Sequence, residues 1–348
     1  MGGGVTPEGN SRGDVRFCTL ADARYFPGLV GLVNSLRLQG HCEPISVLDL
    51  GLTDRQRQAL ASHCEFAPVP PGPPRHAWLL EPVSCLARPA EIVVYLDADI
   101  IVTRPLDDLI ERARDGRIVV FPDTQPDRRF DEWRGHFELS EPLRHQTYVN
   151  AGFLAVSTRR FPALLPRWSR ACELIIGRPT VKDDPTEMDS PIGLSSQDAL
   201  NALLMSEVPA VAVDLQPVGT EVHRRQLAQV SVRDVHTLEC SFEGRPTTLL
   251  HHWGVPKPWD HAARGYTVNA YSTCLRRLLT GDDVAVRIDP REVPPWLRPG
   301  LLGVLAHCAV RYAVPAARRV RARLRSGPRP GDVSFAVPAT TDAAERVS

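Results

Sequence analysis

The sequence predicts an α/β domain with a largely parallel central sheet. Short apolar runs of strand length alternate along the chain with segments whose apolar residues recur at helical spacing. This alternation is typical of a parallel sheet that has helices on its faces. The chain has 348 residues, of which 43% are hydrophobic, so it can bury the core that such a domain requires.

The N-terminal elements show the alternation most clearly. Val15 to Leu20 is an apolar run that predicts a buried strand, and from Tyr25 to Leu38 the apolar residues recur at helical spacing. Ile45 to Leu50 predicts a second strand. Thr53 to His63 predicts a second helix, for which the threonine is a suitable N-cap.

The remaining elements are predicted from shorter patterns. The proline-rich segment from Phe66 to Arg75 predicts a loop without a regular element. Further strands are expected at Glu91 to Leu96, Ile118 to Phe121, Tyr148 to Ser157, Val208 to Leu215 and Thr247 to His251, and helices at Phe161 to Ile176 and Ser196 to Met205. The polar stretches Pro122 to Gln146 and Gly177 to Ser195 are expected to be long loops that recognise substrate.

We expect one large domain with appendages at both ends. Residues 1–14 and 326–348 are predicted to be disordered tails, and residues 15–265 to form the main domain. Residues 266–325 are predicted to form a helical basic extension, in which Arg311 and five further arginines follow an apolar stretch. Two interpretations of this extension remain open: a solvated helix face, or a patch that holds the protein against anionic lipid.

Composition narrows the functional classes. The 41 basic and 41 acidic residues give a net charge of zero, so nucleic acid is not an expected partner. The eight cysteines are widely spaced, which predicts reduced and mostly buried thiols. The N-terminal residues lack the pattern of a secretory signal, and no apolar stretch reaches the roughly 18 to 20 residues of a spanning helix. We therefore expect a cytoplasmic location, with contact at the inner face of the membrane if the basic extension binds lipid.

Two aspartates follow the apolar strand that ends at Leu96. In extended backbone, residues i and i+2 point to the same side, so Asp97 and Asp99 can bind one cation. Ligands of open α/β sheets bind beyond the carboxyl ends of strands, where this pair is expected to lie. An Asp-x-Asp pattern also arises by chance in a chain with 24 aspartates, so the pair alone is a weak signal.

A second motif, from His251 to Trp259, is more specific. The histidine can add a nitrogen ligand to the two carboxylates, and a mixed nitrogen and oxygen shell suits Mn²⁺ or Mg²⁺. Gly254 allows the backbone to approach a bulky anion, and Lys257 supplies a positive charge for phosphate.

Together these motifs resemble glycosyltransferase family 8, the retaining enzymes that include glycogenin and bacterial lipopolysaccharide galactosyltransferases. The resemblance covers roughly residues 15–260. Besides the two motifs, it rests on Thr19 to Asp22 with Tyr25, on Tyr148 to Phe153, and on Ser196-Gln197-Asp198, which occur in the family's order.

The resemblance implies a GT-A type nucleotide-diphospho-sugar transferase fold and a retaining transfer of a hexosyl unit from a UDP-sugar. The acceptor would be a carbohydrate, a lipid-linked molecule or a small molecule. It implies Asp97, Asp99 and His251, rather than His252, as ligands of Mn²⁺ or Mg²⁺. It implies as catalytic residues Gln197, Asn150 and Lys257, and as donor-binding residues Ala21, Asp22, Tyr25, Asp97, Ala98, Gly254 and Lys257.

The sequence departs from the family at two positions. Ser196 replaces a frequent aspartate, and Glu81 stands near a position where relatives often carry a basic residue. Loss of that charge could weaken donor binding, or Arg88 or another arginine could compensate for it. These departures leave open a non-catalytic sugar-nucleotide-binding relative. A phosphohydrolase with Asp97 as nucleophile is a further alternative, although it would not explain the segment from His251 to Trp259. Tyr25 could also serve only as core packing, and Gln197 only as part of a helix cap.

Overall fold

The computed structural model describes residues 14–72, 76–181, 185–260, 268–298, 300–303 and 305–309. The strands are β1 (Val15–Ala21), β2 (Ile45–Asp49), β3 (Glu65–Pro68), β4 (Ile92–Leu96), β5 (Ile100–Val102), β6 (Ile118–Pro122), β7 (Val149–Ser157), β8 (Val213–Leu215), β9 (Glu221–His223), β10 (Ser231–Asp234), β11 (Glu239–Phe242), β12 (Arg245–Pro246) and β13 (Leu249–His251). The α-helices are α1 (Phe26–Leu38), α2 (Asp54–Leu60), α3 (Glu81–Leu86), α4 (Asp107–Arg114), α5 (Trp133–His136), α6 (Leu164–Leu174), α7 (Ser196–Ser206) and α8 (Ala270–Thr280).

Seven strands form the central sheet in the order β3-β2-β1-β4-β7-β6-β8. Neighbouring strands are parallel except for β7, which is antiparallel to both β4 and β6. The mostly parallel sheet predicted from the alternating pattern is therefore confirmed. The reversal of β7 matters for function, because this strand begins at the edge where its neighbours end.

The sheet is buried on both faces. Along β4, Ile92, Val94 and Leu96 belong to one apolar cluster, which also contains residues of α1 and α8. Val93 and Tyr95 point to the opposite side and join a second cluster with residues of α6 and α7. A strand that is covered on both sides must be apolar at every position, as β4 is.

Several predicted elements are confirmed, with shorter bounds. Thr53 caps α2 in a capping box with Gln56, which also shows why the helix begins at Asp54. The prediction that Phe66 to Arg75 contains no regular element was wrong, because its first residues belong to β3. Proline is tolerated there because β3 lies at the edge of the sheet, where Pro68 ends the strand. In the segment Val208 to Leu215 only the last three residues form a strand.

The C-terminal part of the described chain packs onto the main core. Tyr271, Cys274, Leu275 and Leu278 of α8 are fully buried in the same cluster as α1. The proposed boundary at residue 265 remains a prediction. The arginine-rich segment that begins at Arg311 and both predicted tails, apart from Asp14, lie outside the described residues. Among the helices that the structure describes, none is long and apolar enough to cross a membrane.

Candidate active site

Polar residues gather at one edge of the central sheet. Parallel strands β1, β4 and β6 all end at this edge, and they are followed by Asp22, Asp97 and Asp123. The antiparallel strand β7 begins there, with Asn150 as its second residue, and the Gly152 carbonyl accepts a hydrogen bond from the Asp97 N–H at 2.9 Å. The edge thus brings together side chains from four separate chain segments.

A small three-stranded sheet, in the order β5-β13-β9, adds His251 to this edge. In the antiparallel pair of β5 and β13, His251 is opposite Ile100, the residue that follows Asp99. In the parallel pair of β13 and β9, His251 is opposite His223. The sheet register therefore determines that a histidine from late in the chain meets the Asp-x-Asp segment.

Asp97, Asp99 and His251 form a group that could hold a metal ion, since one ligand atom of each lies within 4.8 Å of the others. The Nε2 of His251 is 3.5 Å from Asp97 Oδ2 and 3.3 Å from Asp99 Oδ1. This nitrogen is buried and makes no hydrogen bond, which fits a metal ligand. The other ring nitrogen, Nδ1, is 2.9 Å from Glu221 Oε1.

The charged neighbours of His251 and Asp99 shift the pKa values of both side chains. Burial works to lower the pKa of His251, but the carboxylates of Asp99, Asp97 and Glu221 outweigh burial and raise that pKa well above its ordinary value. Burial opposes ionisation of Asp99, yet Lys257 and His251 lower its pKa. The carboxylates therefore favour a positive charge on the His251 ring, and the same negative charge would attract a metal ion. His252 is not among the described residues that could hold the ion; its ring packs against Tyr271, with ring centroids 5.2 Å apart.

Lys257 is buried and reaches Asp99 rather than open solvent. Its Nζ donates a hydrogen bond to Asp99 Oδ2 and a second, 2.7 Å long, to the carbonyl oxygen of His252. The ammonium group lies 5.2 Å from the centre of the Tyr25 ring and 6.0 Å from the Trp259 ring. The lysine therefore neutralises the charge of Asp99 and also lies near the faces of two aromatic rings, Tyr25 and Trp259.

A cavity of about 340 Å³ opens above this group. All seven residues that the sequence assigns to donor binding line it: Ala21, Asp22, Tyr25, Asp97, Ala98, Gly254 and Lys257. Tyr25 and Trp259 meet edge to face, with ring centroids 5.9 Å apart. Gly28 allows α1 to approach this wall, because a Cβ at this position would lie 2.5 Å from the Trp259 ring and 2.6 Å from the Ala98 carbonyl oxygen.

A smaller cavity of about 150 Å³ adjoins the first, and Trp78, Glu81 and Asp97 line both. Asn150 and Gln197, which the sequence assigns to catalysis, line this smaller cavity. Asp123 orients them both: its Oδ2 accepts a hydrogen bond from Asn150 Nδ2 at 3.1 Å and from Gln197 Nε2 at 3.2 Å.

The two amide oxygens accept backbone hydrogen bonds. Asn150 Oδ1 accepts from the Gly152 N–H at 2.8 Å, and Gln197 Oε1 accepts from the Ala151 N–H at 3.1 Å. A carbonyl oxygen has two lone pairs, so each amide oxygen can also accept a bond from a ligand in the cavity. The hydrogen bonds fix both amide groups in one orientation.

The two positions that depart from the family pattern contact each other. Ser196 Oγ donates a hydrogen bond to Glu81 Oε2 at 2.7 Å, and both residues are buried. Ser195, which precedes α7, has a φ of 51°, a conformation that is costly for a residue with a side chain. Arg88 contacts Phe66 and Glu65 and lies outside the lining of both cavities, whereas Arg24 lines the larger one.

Arg128 joins the two long loops behind the smaller cavity. Its guanidinium binds both oxygens of Asp198, at 2.7 and 2.8 Å, and the carbonyl oxygens of Met188 and Ser190, at 2.6 and 2.7 Å. Tyr148 Oη donates to Asp198 Oδ1 at 2.7 Å. Burial raises the pKa of Asp198 above its ordinary value, although the bonds from Arg128 and Tyr148 work to lower it. This network fixes the start of α7, the helix that carries Gln197.

Comparison with solved structures identifies the fold. Apo WbbM, a bifunctional glycosyltransferase, matches with a TM-score of 0.52 and 14% identity over 81% of this chain and 52% of its own. The chain has the glycosyltransferase GT-A fold. Galactosyltransferase LgtC is also similar: a complex with donor and acceptor sugar analogs matches with a TM-score of 0.47, and an active-site mutant with 0.48. Both LgtC structures are 19% identical to the chain, and the matches cover 77% and 79% of this chain and 98% of theirs.

The structural resemblance to glycosyltransferases expected from the sequence is thus confirmed over about four fifths of the chain. No protein-family model and no curated protein sequence matches it.

Two residues of this candidate site were not predicted from the sequence. Glu221 lies on β9, a strand of three residues that is too short to give a pattern of its own. The alternation of the polar residues Glu221 and His223 with a valine was the one local pattern that could have indicated a strand here. Asp123 follows β6 as Asp97 follows β4, and its position at a strand end could have indicated it.

Proposed function

We propose that the chain is a retaining glycosyltransferase of family 8 that transfers a hexosyl unit from a UDP-sugar to an acceptor hydroxyl. The observation that carries the proposal is the convergence of Asp97, Asp99 and His251, whose buried Nε2 makes no hydrogen bond. Of these residues, Asp97 lines both cavities and Asp99 lines the larger one. The larger cavity has the volume and the aromatic wall that suit a nucleoside, and the smaller one suits a sugar. The diphosphate between them would lie beside the metal group.

The residues present fit Mn²⁺, with Mg²⁺ as the alternative, because they offer two carboxylates and an imidazole nitrogen. A bound divalent ion would neutralise the charge that develops on the departing diphosphate. Tyr25 would pack against the uracil. Lys257, already held at the cavity wall, would add a second positive charge near the phosphates.

Retention of configuration is what the resemblance to family 8 implies. In this proposal the acceptor hydroxyl would attack the face of the sugar from which the diphosphate leaves, and Gln197 and Asn150, which line the smaller cavity, would face the opposite side of the sugar. An amide is a poor nucleophile, so we assign Gln197 a positioning role in which its oxygen stabilises the oxocarbenium-like sugar.

A panel of UDP-sugars tests the proposal. The full chain with Mn²⁺ is expected to release UDP from one or a few donors, and EDTA is expected to stop the release. Donor binding without release, measured by thermal stabilisation, would instead support a non-catalytic relative in which the Ser196 and Glu81 pair has replaced the catalytic arrangement. Release of phosphate from p-nitrophenyl phosphate, with no response to any UDP-sugar, would favour the phosphohydrolase.

We also propose that the C-terminal segment holds the enzyme at an anionic membrane surface on the cytoplasmic side. Residues 300–303 and 305–309 are helical, and Leu301, Leu302 and Leu305 are 73%, 82% and 55% exposed. Exposed leucines followed in sequence by six arginines from Arg311 to Arg325 are typical of a helix that lies in a lipid interface.

Vesicle sedimentation tests this second proposal. The full chain is expected to pellet with phosphatidylglycerol vesicles much more than with phosphatidylcholine vesicles, because the arginines favour anionic lipid. A chain that ends at Arg298 is expected to lose this binding. It retains Trp296, which is buried and donates a hydrogen bond to the Pro258 carbonyl oxygen at 3.0 Å. Equal sedimentation of the two chains would contradict the proposal.

A further inference from the structure

We infer that Glu221 is a positioning residue that fixes the ring of His251, so that Nε2 faces Asp97 and Asp99. The inference rests on the metal group of the proposed function and adds a residue from outside both cavities. In the sheet formed by β5, β13 and β9, Glu221 pairs with Leu249 and His223 pairs with His251. Paired residues of parallel strands, and residues two apart, point to the same face.

The contact between Glu221 and His251 determines the tautomer. Glu221 Oε1 lies 2.9 Å from His251 Nδ1, and an ionised carboxylate can only accept a hydrogen bond. The proton of a neutral His251 must therefore be on Nδ1, which leaves the lone pair of Nε2 free for a metal ion. Hydrogen bonds of this kind from a carboxylate to a ligating imidazole fix its orientation and raise its basicity.

The burial of Glu221 argues for a role beyond packing. Its side chain is 1% exposed, and its Oε2 makes no hydrogen bond. A buried carboxylate with an unsatisfied oxygen is costly to the fold. Besides His251, which contacts Oε1, His223 is near this carboxylate, with its Nε2 at 3.8 Å from Oε2. An apolar residue would fill the same space at lower cost, so fold stability alone does not explain a glutamate here.

The same residues offer a competing arrangement. Glu221, His223 and His251 also lie close enough to hold an ion of their own. We favour the positioning role because neither Glu221 nor His223 lines either cavity, whereas Asp97 and Asp99 line the larger one. The distance between Glu221 and His251 is also that of a hydrogen bond.

Titration of Mn²⁺ into the full chain, followed by the electron paramagnetic resonance of the free ion, tests the inference. Glu221→Leu is expected to weaken Mn²⁺ binding roughly 10- to 100-fold, the usual effect of removing such a partner. Glu221→Gln is expected to retain most of the affinity, because its amide oxygen can still accept the Nδ1 proton. In Glu221→Leu, excess Mn²⁺ is expected to restore kcat for UDP release, while more Mn²⁺ is needed to reach half of that rate.

Glu43→Leu is the matched control. It also removes a buried carboxylate beside a buried histidine, since Glu43 Oε2 lies 3.4 Å from His41 Nδ1, but neither residue lines either of the two cavities of the candidate site. Wild-type Mn²⁺ affinity in Glu221→Leu would overturn the inference, as would equal weakening in the control. Two bound ions per chain, reduced to one by His223→Phe, would also overturn it, since Glu221 would then be a ligand. Wild-type protein that binds one Mn²⁺ but releases no UDP would refute the proposed function and leave this inference standing.

Discussion

Asp97→Asn and Asp99→Asn are each expected to reduce Mn²⁺-dependent release of UDP by about 100-fold or more, because each removes a charged ligand from an electrostatic site. They are expected to differ in stability. Asp99 is 7% exposed at its side chain and pairs with the buried Lys257, whereas Asp97 is 30% exposed and accepts a hydrogen bond from Tyr95 Oη at 2.6 Å.

This difference in stability distinguishes the loss of a metal ligand from a general loss of folding. In Asp99→Asn the Lys257 ammonium stays buried without its carboxylate, a change that costs about 3 kcal/mol. Asp97→Asn is expected to unfold in urea close to the wild-type midpoint. Unfolding curves and Mn²⁺ titrations of both variants check this. Unchanged UDP release in either variant would remove the metal assignment, and equal stability of the two would contradict the ion pair with Lys257.

Gly152→Ala is expected to weaken Mn²⁺ binding and UDP release together. A Cβ on this residue would lie 2.5 Å from His251 Cε1, 2.8 Å from Asn150 Oδ1 and 3.0 Å from Asp97 Oδ2. The Cε1 atom lies between the two ring nitrogens, so displacing it moves Nε2 away from the aspartates and strains the bond to Glu221. A misplacement of about 1 Å can cost roughly 100-fold in rate.

Gly135→Ala provides the comparison for Gly152→Ala. Gly135 is in α5, and a Cβ there would meet no atom within 4 Å. This variant is expected to keep wild-type Mn²⁺ affinity and activity and to be slightly more stable, because alanine favours a helix over glycine. Full activity in Gly152→Ala would show that the metal group tolerates more displacement than the close contacts allow.

The sequence was informative where a pattern is local. The apolar runs of β1 and β4 are long enough to predict strands, and each ends at an aspartate of the site. His251 could be placed with Asp97 and Asp99 because its motif resembles that of a known family. The geometry that joins these residues depends on the register of β5 with β13, which involves three residues on each strand and leaves no signal in the sequence.

Contacts between distant segments could not be predicted. Ser196 and Glu81 are two separate departures in the sequence, yet they form one hydrogen bond across 115 positions. Asp123 acts through two amides that lie 27 and 74 residues away. The edge position of β3, which makes its proline acceptable, is likewise a property of the whole sheet. Each of these features follows from tertiary packing rather than from local preference.

The bonds of Arg128 limit how the two long loops can be changed, whether by engineering or during evolution. It belongs to the loop after β6, but it binds carbonyl oxygens of the loop before α7 and the carboxylate of Asp198. The two loops therefore form a single unit. A loop grafted alone from a relative would leave either an arginine without its acceptors or a buried aspartate without its cation. If the chain is the transferase proposed above, new acceptor preferences should arise by exchanging both loops together with the first turn of α7.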